Sequence, residues 1–296
     1  MKKSRIGHLA IKLSRMTEIL HFAVDGAHPR HLAIAAAFVR FHVRLAICKI
    51  LGRPLRSFTL LGTEMHFTDP GAFQFLLGEL FIDGTYGACQ GTPVTILDCG
   101  SNIGMSILFF KSLWPDSRIL GVEASPDTFA LLRENVKSLT HVSVRNAAVC
   151  DRRGTMSFYP SSPNSLTGST NALRSGGEAA LVESIPMSDL ISGPIDLLKM
   201  DIEGSETAAF TELEASGKMP LIREMLIEYH YHLPGETHSL TEFLDRLSRC
   251  GFDYELAASL PHVFGDCHDM FIWAKRTKEK EYLGDDVVAQ AVSIED

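Results

Sequence analysis

The sequence predicts an α/β fold: a Rossmann-like, mostly parallel sheet preceded by a helical extension. Three observations predict it. Between residues 94 and 148, short apolar strands alternate with helical stretches, the pattern of parallel βαβ units with right-handed crossovers. The first strand runs into Asp98-Cys99-Gly100-Ser101-Asn102-Ile103-Gly104, a glycine-bearing turn into a helix. The next strand ends on an acidic residue, Glu123.

Composition supports a globular chain. Of 296 residues, 45% are hydrophobic and 22% charged, enough to bury a sizeable core. The net charge of −8 argues against a nucleic-acid partner, which needs concentrated Lys and Arg. Cys48, Cys89, Cys99, Cys150, Cys250 and Cys267 form no C-x-x-C pair and lie in apolar segments. They read as reduced thiols in a cytoplasmic protein. Met1-Lys2-Lys3 could open a signal peptide, but Lys12 and Arg15 break the apolar stretch that follows.

Residues 1–90 read as a mostly helical extension, 91–276 as the main domain and 277–296 as a charged tail. Ala33 to Leu51 is a helix stopped by Gly52-Arg53-Pro54. Arg40, His42, Arg44 and Lys49 interrupt its apolar character and argue against a membrane span. Packing on its own domain is the first reading, and lying on an anionic membrane surface is the second. Phe58 to Phe67 reads as a strand pair turning at Gly62, and Phe73 to Phe81 as another helix.

In the main domain, Val94 to Leu97 is the first strand and Gly104 to Trp114 the helix after it. Arg118 to Val122 is the second strand. Ser125 caps a helix whose first residue is Pro126. Val142 to Ala148 is the third strand. Thr155 to Tyr159 and Leu181 to Ile185 read as extra strands around a long loop, Pro160 to Gly177. Ile195 to Met200 is the fourth core strand and Glu206 to Ser216 a helix. Glu224 to Ile227 is the fifth strand, ending at Glu228. Ser239 to Arg249 is a helix closed by Gly251, and Phe252 to Leu256 and Met270 to Lys275 are the last two strands.

The Asp98–Gly104 turn sits where doubly wound sheets bind ligands, at the carboxyl end of the first strand. Gly100 permits close approach of a ligand to the backbone, and Gly104 lets the helix begin close to the sheet. Glu123 suits a carboxylate accepting hydrogen bonds from two ribose hydroxyls. The glycines are not spaced G-x-G-x-x-G, which disfavours a nicotinamide dinucleotide. Asp98 would repel a pyrophosphate and attract the ammonium of a methionine moiety.

These segments resemble the FkbM family of class I methyltransferases. The resemblance is carried by Asp98 to Gly104, by Val122-Glu123-Ala124 and by Asp196-Leu197-Leu198-Lys199-Met200-Asp201-Ile202-Glu203-Gly204-Ser205-Glu206, with Glu228-Tyr229-His230 beside them. It runs from about Thr92 to Lys275 and is weak or absent before residue 70. Cys99, Ser101 and the Ala124-Ser125 insertion before Pro126 depart from the commoner pattern. The resemblance implies a seven-stranded sheet with an antiparallel seventh strand. It also implies S-adenosyl-L-methionine as cofactor and transfer to a hydroxyl of a sugar or natural-product-like small molecule. On that reading Asp98, Gly100, Ser101, Asn102, Gly104, Glu123 and Ala124 bind the cofactor, and Asn146 lies near the adenine.

A hydroxyl acceptor must lose a proton, so a base is expected at the ends of the fourth and fifth strands. Asp201, Glu203, Glu206, Glu228 and His230 come from those ends. His230 is the natural general base by pKa, or else a surface histidine in a loop with His232 and His238. Lys199, inside an apolar strand, needs a carboxylate partner, and Glu228 or Glu203 is the expected one. Asp201, Glu228 and His230 could also supply oxygen and nitrogen ligands to a divalent metal, but no ligand-spacing motif calls for one. His262, His268 and Asp269 read as loop residues. The residues leave oxygen, nitrogen and carbon acceptors open. They also leave open a non-catalytic cofactor-binding module attached to a membrane or partner through its N-terminal helices. Oligomeric state is not encoded in any readable way.

Overall fold

The computed structural model describes residues 17, 19–24, 26, 28–86, 91–160, 168–169, 179–231, 239–258 and 268–277. The readings for residues 1–16, most of the Pro160–Gly177 loop, Cys89, Cys267, His232, His238, His262 and the tail beyond 277 lie outside them.

Helix α1 spans His31–Ile50 and ends at Leu51, with Gly52 in the left-handed region. Strands β1 (Ser57–Leu60) and β2 (Thr63–His66) form the expected antiparallel hairpin. Helix α2 (Pro70–Leu77) starts at Asp69, whose side chain accepts the Gly71 N–H, and continues as one π-helical turn, Gly78–Ile82. The extension is not a separate body. Ile34, Phe41, Phe73 and Phe81 share one buried cluster with Ile96, Ile107, Phe110 and Leu197.

The main domain has β3 (Thr95–Cys99), α3 (Met105–Leu113), β4 (Arg118–Glu123), α4 (Pro126–Val136) and β5 (Val142–Asn146) in order. Ser125 caps α4 by accepting the Thr128 N–H, and Pro126 is the first helical residue. A small sheet follows, from β6 (Ala148–Cys150), β7 (Gly154–Pro160), β8 (Gly168–Ser169) and β9 (Ala180–Pro186). Then come β10 (Ile195–Met200), α5 (Glu206–Ala215), β11 (Ile222–Tyr231), α6 (Leu240–Arg249), β12 (Phe252–Ala258) and β13 (His268–Arg276).

The central sheet has seven strands in the order β12-β13-β11-β10-β3-β4-β5. Strands β5, β4, β3, β10 and β11 are parallel, and β13 runs antiparallel to β11 and β12. Both faces are covered, which is why β3 and β10 read as continuous apolar runs rather than alternating ones. One layer packs with the extension, α3 and α4; the other is built around Phe210, Leu213, Phe243 and Leu247 of α5 and α6.

Four expectations change. The single third strand is two: β5 pairs with β4 as far as Asn146, and from Ala148 the chain pairs with β9 instead, so β6 joins the small sheet. The fifth strand does not stop near Glu228; β13 supplies partners out to Tyr231↔His268, and His230 is a strand residue. His268 and Asp269 likewise belong to β13 rather than to a loop. Gly168–Ser169, inside the expected long loop, pair with β7.

Candidate active site

The turn after β3 is built by its own backbone. The N–H groups of Gly100 and Ser101 both donate to the Val122 carbonyl at 2.9 Å. Ser101 Oγ donates to the Asp98 carbonyl at 2.9 Å, and Asn102 takes a left-handed conformation. Gly100 has φ +84°, and a Cβ there would lie 1.7 Å from the Asp201 carbonyl oxygen. The close approach that demands glycine on this side is to β10's continuation. Gly104, at φ +92°, caps α3 and faces Leu132 and Val136 of α4.

Glu123 ends β4 facing this turn. Its Oε2 accepts the Asn102 N–H at 2.9 Å and its Oε1 accepts the Ser125 N–H at 2.8 Å. Burial pushes its pKa up to about 7 against the pull of those two donors. Each oxygen spends one lone pair and keeps another, which fits a pair of vicinal hydroxyls. Asn146, opposite Glu123 on β5, anchors the corner by donating Nδ2 to the carbonyls of Glu123 and Ala124.

Asp98 is fully buried beneath the turn. Its Oδ2 accepts Ser106 Oγ–H at 2.6 Å, and its Oδ1 is 3.5 Å from Lys199 Nζ. The expectation that Asp98 meets a ligand ammonium directly is corrected: its charge is already balanced from within. Lys199 Nζ also donates to the Gly100 carbonyl at 2.6 Å and to Asp201 Oδ2 at 3.2 Å. Its expected partners, Glu228 and Glu203, are thus replaced by Asp98 and Asp201. The register explains this, because Lys199 lies opposite Asp98 in the β10–β3 pairing. Burial works against the ammonium, but Asp201, Tyr86 and Asp98 together hold its pKa well above the ordinary value.

Tyr86, from the end of the extension, escaped the sequence reading. Its ring lies 6.0 Å from Lys199 Nζ and stacks on Phe110. Burial holds the phenol well above its usual pKa, although Lys199 pulls it down. The available signal was an aromatic residue between Gly84 and Gly87, just ahead of the first strand.

The turn after β10 closes around Glu206. Its carboxylate accepts the N–H groups of Ile202 at 3.2 Å and Gly204 at 3.0 Å, with Glu203 at φ +57°. His230 Nδ1 donates to Glu206 Oε1 at 3.0 Å. Its Nε2 lies 3.5 Å from Glu203 Oε2 and 3.9 Å from Glu228 Oε1. Burial disfavours the charged ring, yet Glu206, then Glu203 and Glu228, raise its pKa to about 10. The three carboxylates around the ring favour its protonated, donating form, and its buried place within β11 corrects the reading of it as a surface loop residue. One ligand atom each of Asp201, Glu203 and His230 lie within 4.8 Å of one another, a cation-site spacing that His230 could complete only in its deprotonated form. Asp201, Glu203 and Glu228 keep 23%, 24% and 17% of their side-chain exposure, so they can meet a solute where His230 cannot.

Sheet order and strand-end carboxylates define the class I, Rossmann-like type of methyltransferase domain. Comparison with known proteins gives the family. Residues 98–254 match the methyltransferase FkbM domain. The chain is 31% identical over 160 residues to methyltransferase 1 of Beauveria bassiana, covering 45% of this chain and 64% of that protein. It is 29% identical over 206 residues to the 31-O-demethyl-FK506 methyltransferase FkbM of Streptomyces tacrolimicus, covering 57% and 79%. It is 29% identical over 195 residues to the 2-O-methyltransferase NoeI of Sinorhizobium fredii, covering 58% and 76%. The chain belongs to the FkbM family of S-adenosylmethionine-dependent methyltransferases.

Proposed function

We propose that this chain methylates a hydroxyl oxygen of a sugar-like or natural-product-like small molecule, with Asp201 accepting the hydroxyl proton. The observation that carries the reading is the set of partly exposed carboxylates, Asp201, Glu203 and Glu228, at the ends of β10 and β11 beside the Asp98–Gly104 turn. A hydroxyl is a poor nucleophile until its proton has an acceptor. The names of the Streptomyces and Sinorhizobium relatives, both O-methyltransferases, support the same acceptor atom.

Bound S-adenosylmethionine supplies a methyl group activated on a sulfonium. Glu123 would receive the ribose hydroxyls, the backbone of Gly100 to Asn102 would border the methionine part, and Ala124 and Asn146 would flank the adenine. Asp98 and Ser101 serve from below, setting the turn through Lys199 and the Asp98 carbonyl. Lys199 holds the Asp201 carboxylate at the strand end. His230, clamped by Glu206, orients Glu203 and Glu228. The surplus of carboxylates over cations favours a positively charged ligand.

The test is transfer of a labelled methyl group to a panel of hydroxylated acceptors, with the product bond identified by NMR. D201N should lower kcat by about 10²–10⁴-fold while cofactor affinity stays within a few-fold. A methyl group found on nitrogen or carbon, or a D201N variant with unchanged kcat, would overturn the reading.

A further inference from the structure

Helix α1 buries only one face. Ile34, Ala37, Phe38 and Phe41 point inward, with the Phe41 ring 5.3 Å from Phe58 and 5.2 Å from Phe73. The opposite face is apolar too. Leu32, Val39, Val43, Ile47 and Ile50 are 49–83% exposed. At 3.6 residues per turn they fall in a stripe about 80° wide, opposite Phe41 and Ile34. An amphipathic helix of an isolated soluble domain normally turns polar residues outward; this one does not.

The charged residues border the stripe. Arg40 and Arg44 lie along one flank and Lys49 along the other, all exposed. Residues 26–63 contain Arg30, Arg40, Arg44, Lys49, Arg53 and Arg56 and no Asp or Glu, in a chain whose net charge is −8. An apolar stripe edged by cations is the arrangement that seats a helix at the boundary of headgroups and acyl chains. The helix is long and apolar enough to cross a bilayer by length and composition. Crossing, however, would strip Phe38 and Phe41 from the core they complete and would place Arg40 and Arg44 at mid-span. Lying flat costs neither.

We propose that the outward face of α1 docks on an anionic lipid bilayer surface, with Leu32, Val39, Val43, Ile47 and Ile50 in the interfacial layer and Arg40, Arg44 and Lys49 among the phosphates. A second copy of the chain would cover the apolar stripe equally well, but two such faces would set like charges against each other along both flanks. Charge complementarity therefore favours the lipid.

The experiment is flotation of the full chain with vesicles of phosphatidylcholine alone and of phosphatidylcholine with phosphatidylglycerol. V39E/V43E and R44E/K49E are compared with wild type. All four positions are exposed, so each variant should keep the wild-type melting temperature and cofactor affinity. Wild type should float with the anionic vesicles, and both variants should lose at least about tenfold of that binding. High salt should weaken the wild type. The proposal is overturned if wild type stays in solution with both vesicle types, or if it binds both alike and R44E/K49E changes nothing. Light scattering that finds a dimer dissolved by V39E/V43E, with no lipid binding, would assign the face to a second copy instead.

Discussion

Lys199→Met removes a buried ammonium and leaves the carboxylate beneath it. Asp98 is fully buried, its Oδ1 is 3.5 Å from the lost Nζ, and that oxygen has no hydrogen bond among the described residues. Two unit charges at this distance interact by about 5 kcal/mol at the effective dielectric of a protein site. Breaking such a pair from one side typically costs roughly 3–5 kcal/mol. Asp201, the other carboxylate on Lys199, is partly exposed and can turn to water, so the cost concentrates on Asp98. Asp98→Asn should cost less, about 1–3 kcal/mol, because Lys199 keeps Asp201 and the Gly100 carbonyl. The double variant should recover part of the loss, with a coupling of about 2 kcal/mol. Urea unfolding of the four proteins, followed by circular dichroism, measures this. Single costs that add within about 0.5 kcal/mol would refute the claim that Asp98 and Lys199 form one balanced pair beneath the turn.

Three further outcomes follow from the geometry. Gly100→Ala should destabilise by roughly 2–4 kcal/mol, combining a left-handed backbone with a collision against the Asp201 carbonyl. Gly104→Ala meets only side-chain atoms at 3.0 and 3.1 Å and should cost about half as much; equal melting temperatures for the two variants would contradict this. Cofactor affinity should fall about tenfold per pH unit below 7, because Glu123, with a pKa of about 7, must be ionised to accept two hydroxyls. Calorimetric titration of wild type against E123Q checks it, and a wild-type profile as flat as the variant's would remove Glu123 from the ribose. His230 titrates at about 10 in the fold against 6.5 when exposed. Its stabilisation is therefore fully present below pH 6.5 and is lost as pH rises through 10. The melting-temperature gap between wild type and H230Q should shrink across that window; a constant gap would show that the ring is not held as a cation.

Local signals made most of the fold legible. The mostly apolar run Ile195 to Met200 read as a strand covered on both sides, and Ser125-Pro126 marked the start of α4 because a hydroxyl cap and a fixed φ act within one turn. The turn at Asp98 to Gly104 and the acid at Glu123 were equally visible, since ligand-binding turns carry their constraint in residue type. Partners were harder. Nothing near Lys199 in sequence indicated Asp98, which reaches it from β3 across the sheet. The length of β11 escaped because it depends on hydrogen bonds from β13, and with it went the setting of His230: buried and surrounded by Glu206, Glu203 and Glu228.

The sequence alone thus determined the class of fold, the family, the turn and the acids that border it, because periodicity, caps and glycine needs are properties of short segments. Tertiary structure alone decided which charges neutralise each other. It put Asp98 and Lys199 under the turn, set the His230 ring between Glu206 and Glu203, and brought Tyr86 from the extension to the strand ends. Burial and Coulomb interaction depend on what lies within a few ångströms in space, and parallel strands bring together residues that the chain separates by a hundred positions.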